Sequence, residues 1–186
     1  SGDALTVARV VTTAGISLTG AEAVSLSDTS LDAASLRTVD NATTGNVNAR
    51  PMTLLTGSAA DLVTVVTSTG ISFNGSEAIT VTDTGTVTAA DLNASDTRTT
   101  GLVDAHTATA LTGSAAALVT AVNSAGLSLS GGEAVTVTDT TGTVAVSDLN
   151  TIDGKTSVLV DARAVTAISG TAATLTVAVT ATTLAS

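Results

Sequence analysis

The sequence predicts an α/β fold, a repeat solenoid of short strands and short helices with about 56 residues per unit. A mainly-β repeat stack is the alternative. Three observations carry the prediction: an internal repeat, an aliphatic composition almost without aromatics, and short periodic segments with capping signals. The repeat comes first, because self-similarity at a fixed period identifies stacked architectures. Gly57-Ser58-Ala59-Ala60-Asp61-Leu62-Val63 returns as Gly113-Ser114-Ala115-Ala116-Ala117-Leu118-Val119 and then as Gly170-Thr171-Ala172-Ala173-Thr174-Leu175. Glu77-Ala78-Ile79-Thr80-Val81-Thr82-Asp83 returns at 133–139, with an earlier copy at 22–28. The units are 2–56, 57–112 and 113–169, with a partial fourth at 170–186, in one continuous array over 1–186. With one gap at Thr141, the second and third share 33 of 56 positions. Thr88-Ala89-Ala90-Asp91-Leu92 echoes Ser58-Ala59-Ala60-Asp61-Leu62, which suggests two coils of about 28 residues per unit.

Composition supports stacking. Of 186 residues 44% are hydrophobic, yet Phe73 is the only aromatic and Met52 the only methionine. Aromatics dominate burial in ordinary small cores, so this core is built from thin aliphatic layers. An isolated bead of about 56 residues without disulfide or metal is marginal. Neighbours that share a core solve the problem. Pro51 is the only proline, and nothing resembles a linker.

Within the second unit, Ser58 is an N-cap followed by Leu62, Val65, Val66 and Thr69 at helical spacing, with Gly70 as the stop. Ser114, Leu118, Val122 and Gly126 repeat the pattern. Ile71-Ser72-Phe73 and Ala78–Thr82 alternate as half-buried strands do, with a turn at Asn74-Gly75 between them. Thr86–Thr88 is a further strand, and Ala90–Asp96 a helical turn capped by Thr88. Leu102-Val103 and Thr109–Leu111 supply the last strand elements.

Charge excludes one class of partner. Six basic residues stand against sixteen acidic ones, a net charge of −10. Arg9, Arg37, Arg50, Arg98, Lys155 and Arg163 are scattered singly, whereas a nucleic-acid surface needs them clustered. No apolar run is long enough to span a membrane. There is no cysteine, hence no disulfide framework or thiolate site. The chain opens Ser1-Gly2-Asp3 without Met or a visible signal peptide, as an excerpt or processed product would. Its last segment, with Thr171, Leu175, Val177 and Val179, lacks the strands that should follow. The expected partners are therefore neighbouring repeats of the same chain or end-to-end copies.

The motifs Leu55-Thr56-Gly57-Ser58-Ala59-Ala60-Asp61-Leu62, Thr88-Ala89-Ala90-Asp91-Leu92-Asn93 and Thr99-Thr100-Gly101-Leu102-Val103-Asp104-Ala105 resemble the tandem-repeat regions of giant secreted bacterial surface or adhesin-like proteins, of cyanobacterial and marine type. The resemblance covers nearly the whole chain. It implies secretion by a signal outside this stretch, surface display and an adhesive, motility-related or envelope role.

No catalytic constellation is expected. His106, the only histidine, aligns with Arg50 and Arg163, so the position is a solvated basic slot. No Gly-x-Ser-x-Gly, Gly-x-Gly-x-x-Gly, Walker loop or His-Glu-x-x-His occurs. Acidic residues instead recur in columns: Glu22/Glu77/Glu133, Asp28/Asp83/Asp139, Asp40/Asp96/Asp153 and Asp104/Asp161, with Asn48 in the last. Asp28, Asp83 and Asp139 are read as turn caps through Asx hydrogen bonds. The other reading is calcium, which favours several such oxygens, at Glu77, Asp83, Asp96, Asp104, Glu133, Asp139, Asp153 and Asp161. Thr80/Thr82, Thr136/Thr138 and Ser25/Ser27 form polar ranks of the kind ice-binding faces use, although Thr also simply favours strands.

Overall fold

The computed structural model describes residues 2–4, 6, 19–174 and 184–185. Leu175, Val177 and Val179 lie outside them. The fold is mixed α/β with parallel sheets. In chain order the described elements from Val24 onward are β1 (Val24–Ser25), β2 (Ser30–Asp32), α1 (Ala33–Asn41), β3 (Val47–Asn48), β4 (Leu54–Gly57), α2 (Ala59–Val66), β5 (Ile71–Ser72) and β6 (Ala78–Val81). It continues through β7 (Thr86–Thr88), α3 (Ala89–Asp96), β8 (Val103–Asp104), β9 (Ala110–Gly113), α4 (Ala115–Asn123) and β10 (Leu127–Ser128). The last elements are β11 (Ala134–Val137), β12 (Val144–Ala145), α5 (Val146–Asp153), β13 (Val160–Asp161), β14 (Ile168–Ser169) and β15 (Leu184–Ala185).

The chain divides into two compact bodies, Ser1–Thr82 with Ala94–Asp104, and Asp83–Asn93 with Ala105–Ser186. In the first body, β1, β3 and β5 pair in that order, as do β2, β4, β6 and β8. Helices α1 and α2 pack together. In the second body the orders are β7-β9-β11-β13-β15 and β12-β14, and α4 packs on α5.

Among the described residues every ladder is parallel, and most partners stand 24 positions apart: Leu54 on Ala78, Thr86 on Ala110, Val144 on Ile168. The step is 23 at Val24 on Val47 and 25 at Val135 on Val160. A parallel pair requires a crossover of a dozen residues or more, which a step of this length accommodates. The step differs from the coil of about 28 residues expected above. That expectation rested on the recurring helix start, and helices do begin at 33, 59, 89, 115 and 146, at intervals of 26, 30, 26 and 31. Helix spacing therefore averages near 28, whereas strand pairing is set by a separate distance.

Local chemistry explains the helices. The side chains of Asp32, Ser58 and Ser114 accept hydrogen bonds from the N–H of Ser35, Asp61 and Ala117 at 2.9, 3.1 and 3.2 Å. Thr88 does the same for Asp91 at 3.1 Å. Each bond satisfies one of the orphan donors of the first turn. Ala145 precedes α5 without a side-chain cap. The fourth residue of each helix, Leu36, Leu62, Leu92, Leu118 or Leu149, is buried. Helix α2 ends at Val66, before the expected stop at Gly70. The Thr67 hydroxyl bonds back to Val63 O at 2.6 Å, and the Ser68 hydroxyl donates to Asp40 and accepts from Gly70 N, so the chain leaves the helix there. In the strands burial alternates, with Ile79 and Val81 inside and Ala78 and Thr80 half-buried. Phe73 falls outside β5, because the next residue, Asn74, donates its N–H to Glu77.

Candidate functional site

The recurring carboxylates are the residues that carry chemistry. Glu77 and Glu133 are nearly fully buried, 4% and 2% exposed. Glu77 Oε1 accepts the N–H of Asn74 at 2.7 Å and of Gly75 at 3.2 Å, and Oε2 accepts Gly75 N–H at 3.1 Å. Glu133 Oε1 accepts both the N–H and the hydroxyl of Ser130, at 2.6 and 2.8 Å. Glu22, more exposed, takes the N–H and hydroxyl of Thr19 at 2.7 Å each and Gly20 N–H at 3.0 Å. Those bonds, the Thr19 hydroxyl first, lower its pKa to about 2. Each glutamate therefore anchors the loop just before it. The spacing Thr19-x-x-Glu22, Asn74-x-x-Glu77 and Ser130-x-x-Glu133 is that of a capping box. Here it closes a loop rather than a helix, and the spacing was the signal that could have revealed the role.

The backbone behind the anchor is held as well. Thr99 and Thr156 hydroxyls donate to the carbonyls of Glu77 and Glu133, at 2.6 and 2.5 Å. At Gly101 an added Cβ would overlap the Glu77 carbonyl group.

The aspartates have other tasks. Asp139 Oδ2 accepts Ala115 N–H at 2.7 Å, at the first residue of α4, and Asp28 Oδ2 accepts Ala4 N–H at 2.8 Å. Both partners lie 24 residues earlier, so these side chains join strand ends to earlier backbone rather than closing local Asx turns. A carboxylate at a helix N-terminus also complements the helix dipole. The local i to i+2 pattern is found instead in the last column. Asn48 accepts Arg50 N–H at 3.2 Å, and Asp161 accepts Arg163 N–H at 3.0 Å. Asp161 also takes the Arg163 guanidinium in a bidentate pair, at 3.0 and 2.6 Å, which brings its pKa to about 2. Asp40 lies near the C-terminal end of α1, the unfavourable end for an acid, and accepts the Ser68 hydroxyl at 2.9 Å. Asp83 is half-buried in the turn after β6, Asp96 and Asp153 are the last residues of α3 and α5, and Asp104 stands opposite Thr80 in the ladder. Among the described residues no three Asp, Glu or His side chains gather into a group that could hold a metal ion.

Two pockets recur at equivalent positions, one in each body. The first, about 240 Å³, is walled by Leu55, Ile71, Phe73 and Ile79, with Glu77 and Arg98 among its polar lining. The second, about 220 Å³, uses Leu111, Leu127, Leu129 and Val135 with Glu133 and Lys155. Each thus combines apolar walls, an anchoring carboxylate and a basic side chain. Sequence reasoning missed both, because the wall residues come from segments dispersed along the repeat.

His106 is exposed, with Nδ1 3.2 Å from the Ser128 hydroxyl. The threonine ranks are single. Thr56 pairs with Thr80, and Thr112 pairs with Thr88 on one side and Thr136 on the other. Thr82 and Thr138 lie past the strand ends, donating their N–H groups to Gly57 and Gly113 carbonyls. Among the described residues no helix is long and apolar enough to cross a membrane. In comparisons with known proteins the chain matches no family model, no curated protein and no solved structure.

Proposed function

We propose that the chain is a structural, adhesive repeat segment of a large extracellular surface protein or filament, without catalytic activity. Its repeats stack as a solenoid, and its partners are neighbouring repeats or end-to-end copies. The observation that carries this reading is where the recurring carboxylates point. Glu22, Glu77, Glu133, Asp28 and Asp139 all accept backbone N–H groups of their own chain. Side chains committed in this way hold loops and helix starts, which is a scaffold's chemistry. The constant ladder step of about 24 residues fits stacking in which each coil contacts its neighbours.

A calcium-dependent adhesion module is the other reading of the same columns, and thermal unfolding in calcium and in chelator separates the two. The scaffold gives the same midpoint in both. A midpoint several degrees higher in calcium, the mass-action effect of a bound ion, transfers the assignment to calcium-dependent adhesion. An ice-binding face has only single threonine ranks to work with, and thermal hysteresis of the solution would be its signature.

A further inference from the structure

We propose that Asn74 is a site of spontaneous covalent modification that Glu77 holds closed. Asn74-Gly75 is the only Asn-Gly step in the chain. In such a step the following residue has no side chain to shield its amide. The Gly75 nitrogen can attack Asn74 Cγ, forming a C–N bond as ammonia departs with the proton. Water then opens the five-membered imide at either carbonyl, leaving aspartate or isoaspartate. Water is the only co-reactant.

The attack needs a Gly75 nitrogen that can lose its proton, a side chain free to turn, and an amide free to leave. The fold opposes all three. Gly75 N–H donates to both carboxylate oxygens of Glu77, at 3.2 and 3.1 Å, and a second negative charge on that nitrogen would face the first. Asn74 Nδ2 donates to the carbonyls of Arg50 and Met52, each at 3.1 Å. Asn74 Oδ1 accepts the N–H and hydroxyl of Ser76, at 2.7 and 2.5 Å. Cyclisation therefore proceeds through opening of the 74–77 loop, and its rate follows the population of the open form. The equivalent positions hold Thr19 and Ser130, which have no carboxamide, so this repeat alone carries the site. The product is irreversible in effect. Aspartate replaces a donor to two carbonyls with a carboxylate beside Glu77, and isoaspartate adds a methylene to the backbone between β5 and β6.

The test incubates the full chain, folded and in urea, at mildly alkaline pH and maps the Asn74 peptide for asparagine, aspartate and isoaspartate. Conversion in the folded chain should be at least about tenfold slower than in urea, the factor that an opening free energy of about 1.4 kcal/mol supplies. Glu77→Gln, which removes the charge beside Gly75, should convert several-fold faster than the parent. Equal rates in the folded and unfolded chain overturn the proposal, as does a folded Glu77→Gln chain that converts no faster. If Glu77→Gln does not fold, the folded-to-urea ratio decides alone.

Discussion

The loop 74–77 with its backing segment at 98–103 and the loop 130–133 with its backing segment at 155–160 share one design. Both place a buried glutamate on the loop before it, and both back that glutamate with a threonine hydroxyl. They differ at the glycine of the backing segment. Gly101 lies against the Glu77 carbonyl, where no side chain fits, and Leu102 O receives Ile79 N–H at 2.9 Å. The equivalent of Gly101 is Val158, and there the Leu159 O to Val135 N bond is 3.4 Å. A side chain at this position thus coincides with a longer first rung between the strands. The loops also differ in their clamp, because Asn74 reaches the Arg50 and Met52 carbonyls whereas Ser130 turns its hydroxyl back on Glu133. The two loops share the anchor and differ in the rung and the clamp, so the anchor is the feature to test first.

Removing the anchor should have the largest effect. Glu77→Ala leaves the N–H groups of Asn74 and Gly75 without their charged acceptor, and should lower unfolding free energy by about 2–4 kcal/mol in urea titration. Glu133→Ala should cost a similar amount. If either loses less than about 0.5 kcal/mol, within the range of ordinary surface changes, the anchors are ornamental and the comparison fails. Next in size is Gly101→Val, which imposes the third repeat's geometry on the second and should cost about 1–3 kcal/mol as overpacking does. An unchanged midpoint would show that the backbone yields freely at that rung.

Ser95→Val should act in the opposite direction. Ser95 is buried with its hydroxyl unpartnered, whereas the equivalent positions carry Val39 and Ile152, both buried. Valine removes an unpaired polar group and adds apolar contact, so stability should rise by about 1 kcal/mol. A loss would show that the site has no room for the added methyl groups.

The smallest effect should come from two half-buried carboxylates. Glu22 and Asp161 have folded pKa values of about 2, below their ordinary 4.5 and 3.8. A depressed folded pKa contributes stability above the unfolded value, and that contribution is lost as pH falls through the folded one. Their share should be constant at neutral pH and decline between 4.5 and about 2. A Glu22→Gln and Asp161→Asn double variant should flatten that part of the curve, and an unaltered acid limb would contradict the assignment.

Much of the local structure was legible in the sequence. Ser58, Ser114 and Thr88 announced their helix starts, and Leu62 and Leu118 their buried faces, because caps and helical periodicity act within a few residues. The ladder step was not legible. Parallel partners are chosen by which distant segments lie side by side, and the paired residues carry no common motif to mark the register: Leu31 meets Leu55 and Thr56 meets Thr80, but Leu54 meets Ala78 and Thr86 meets Ala110. The glutamate column was visible as a column, but its role depended on the direction of a side chain that three-residue spacing only hinted at. Asp139 was read as closing its own turn, and its partner proved to be 24 residues away.

The proposed repeat architecture makes the sequence repeat of about 56 residues its exchangeable unit, and excision tests it most directly. Deleting 57–112 joins Thr56 to Gly113 and restores the native junction Leu54-Leu55-Thr56-Gly-Ser. Deleting 57–80 removes one ladder step instead and leaves the helix and strand order broken. Circular dichroism with urea unfolding reads both. The account predicts that the first deletion folds cooperatively with the same spectrum per residue and reduced stability, and that the second does not fold. If the first is unfolded, or the two behave alike, the chain is not a stack of such repeats.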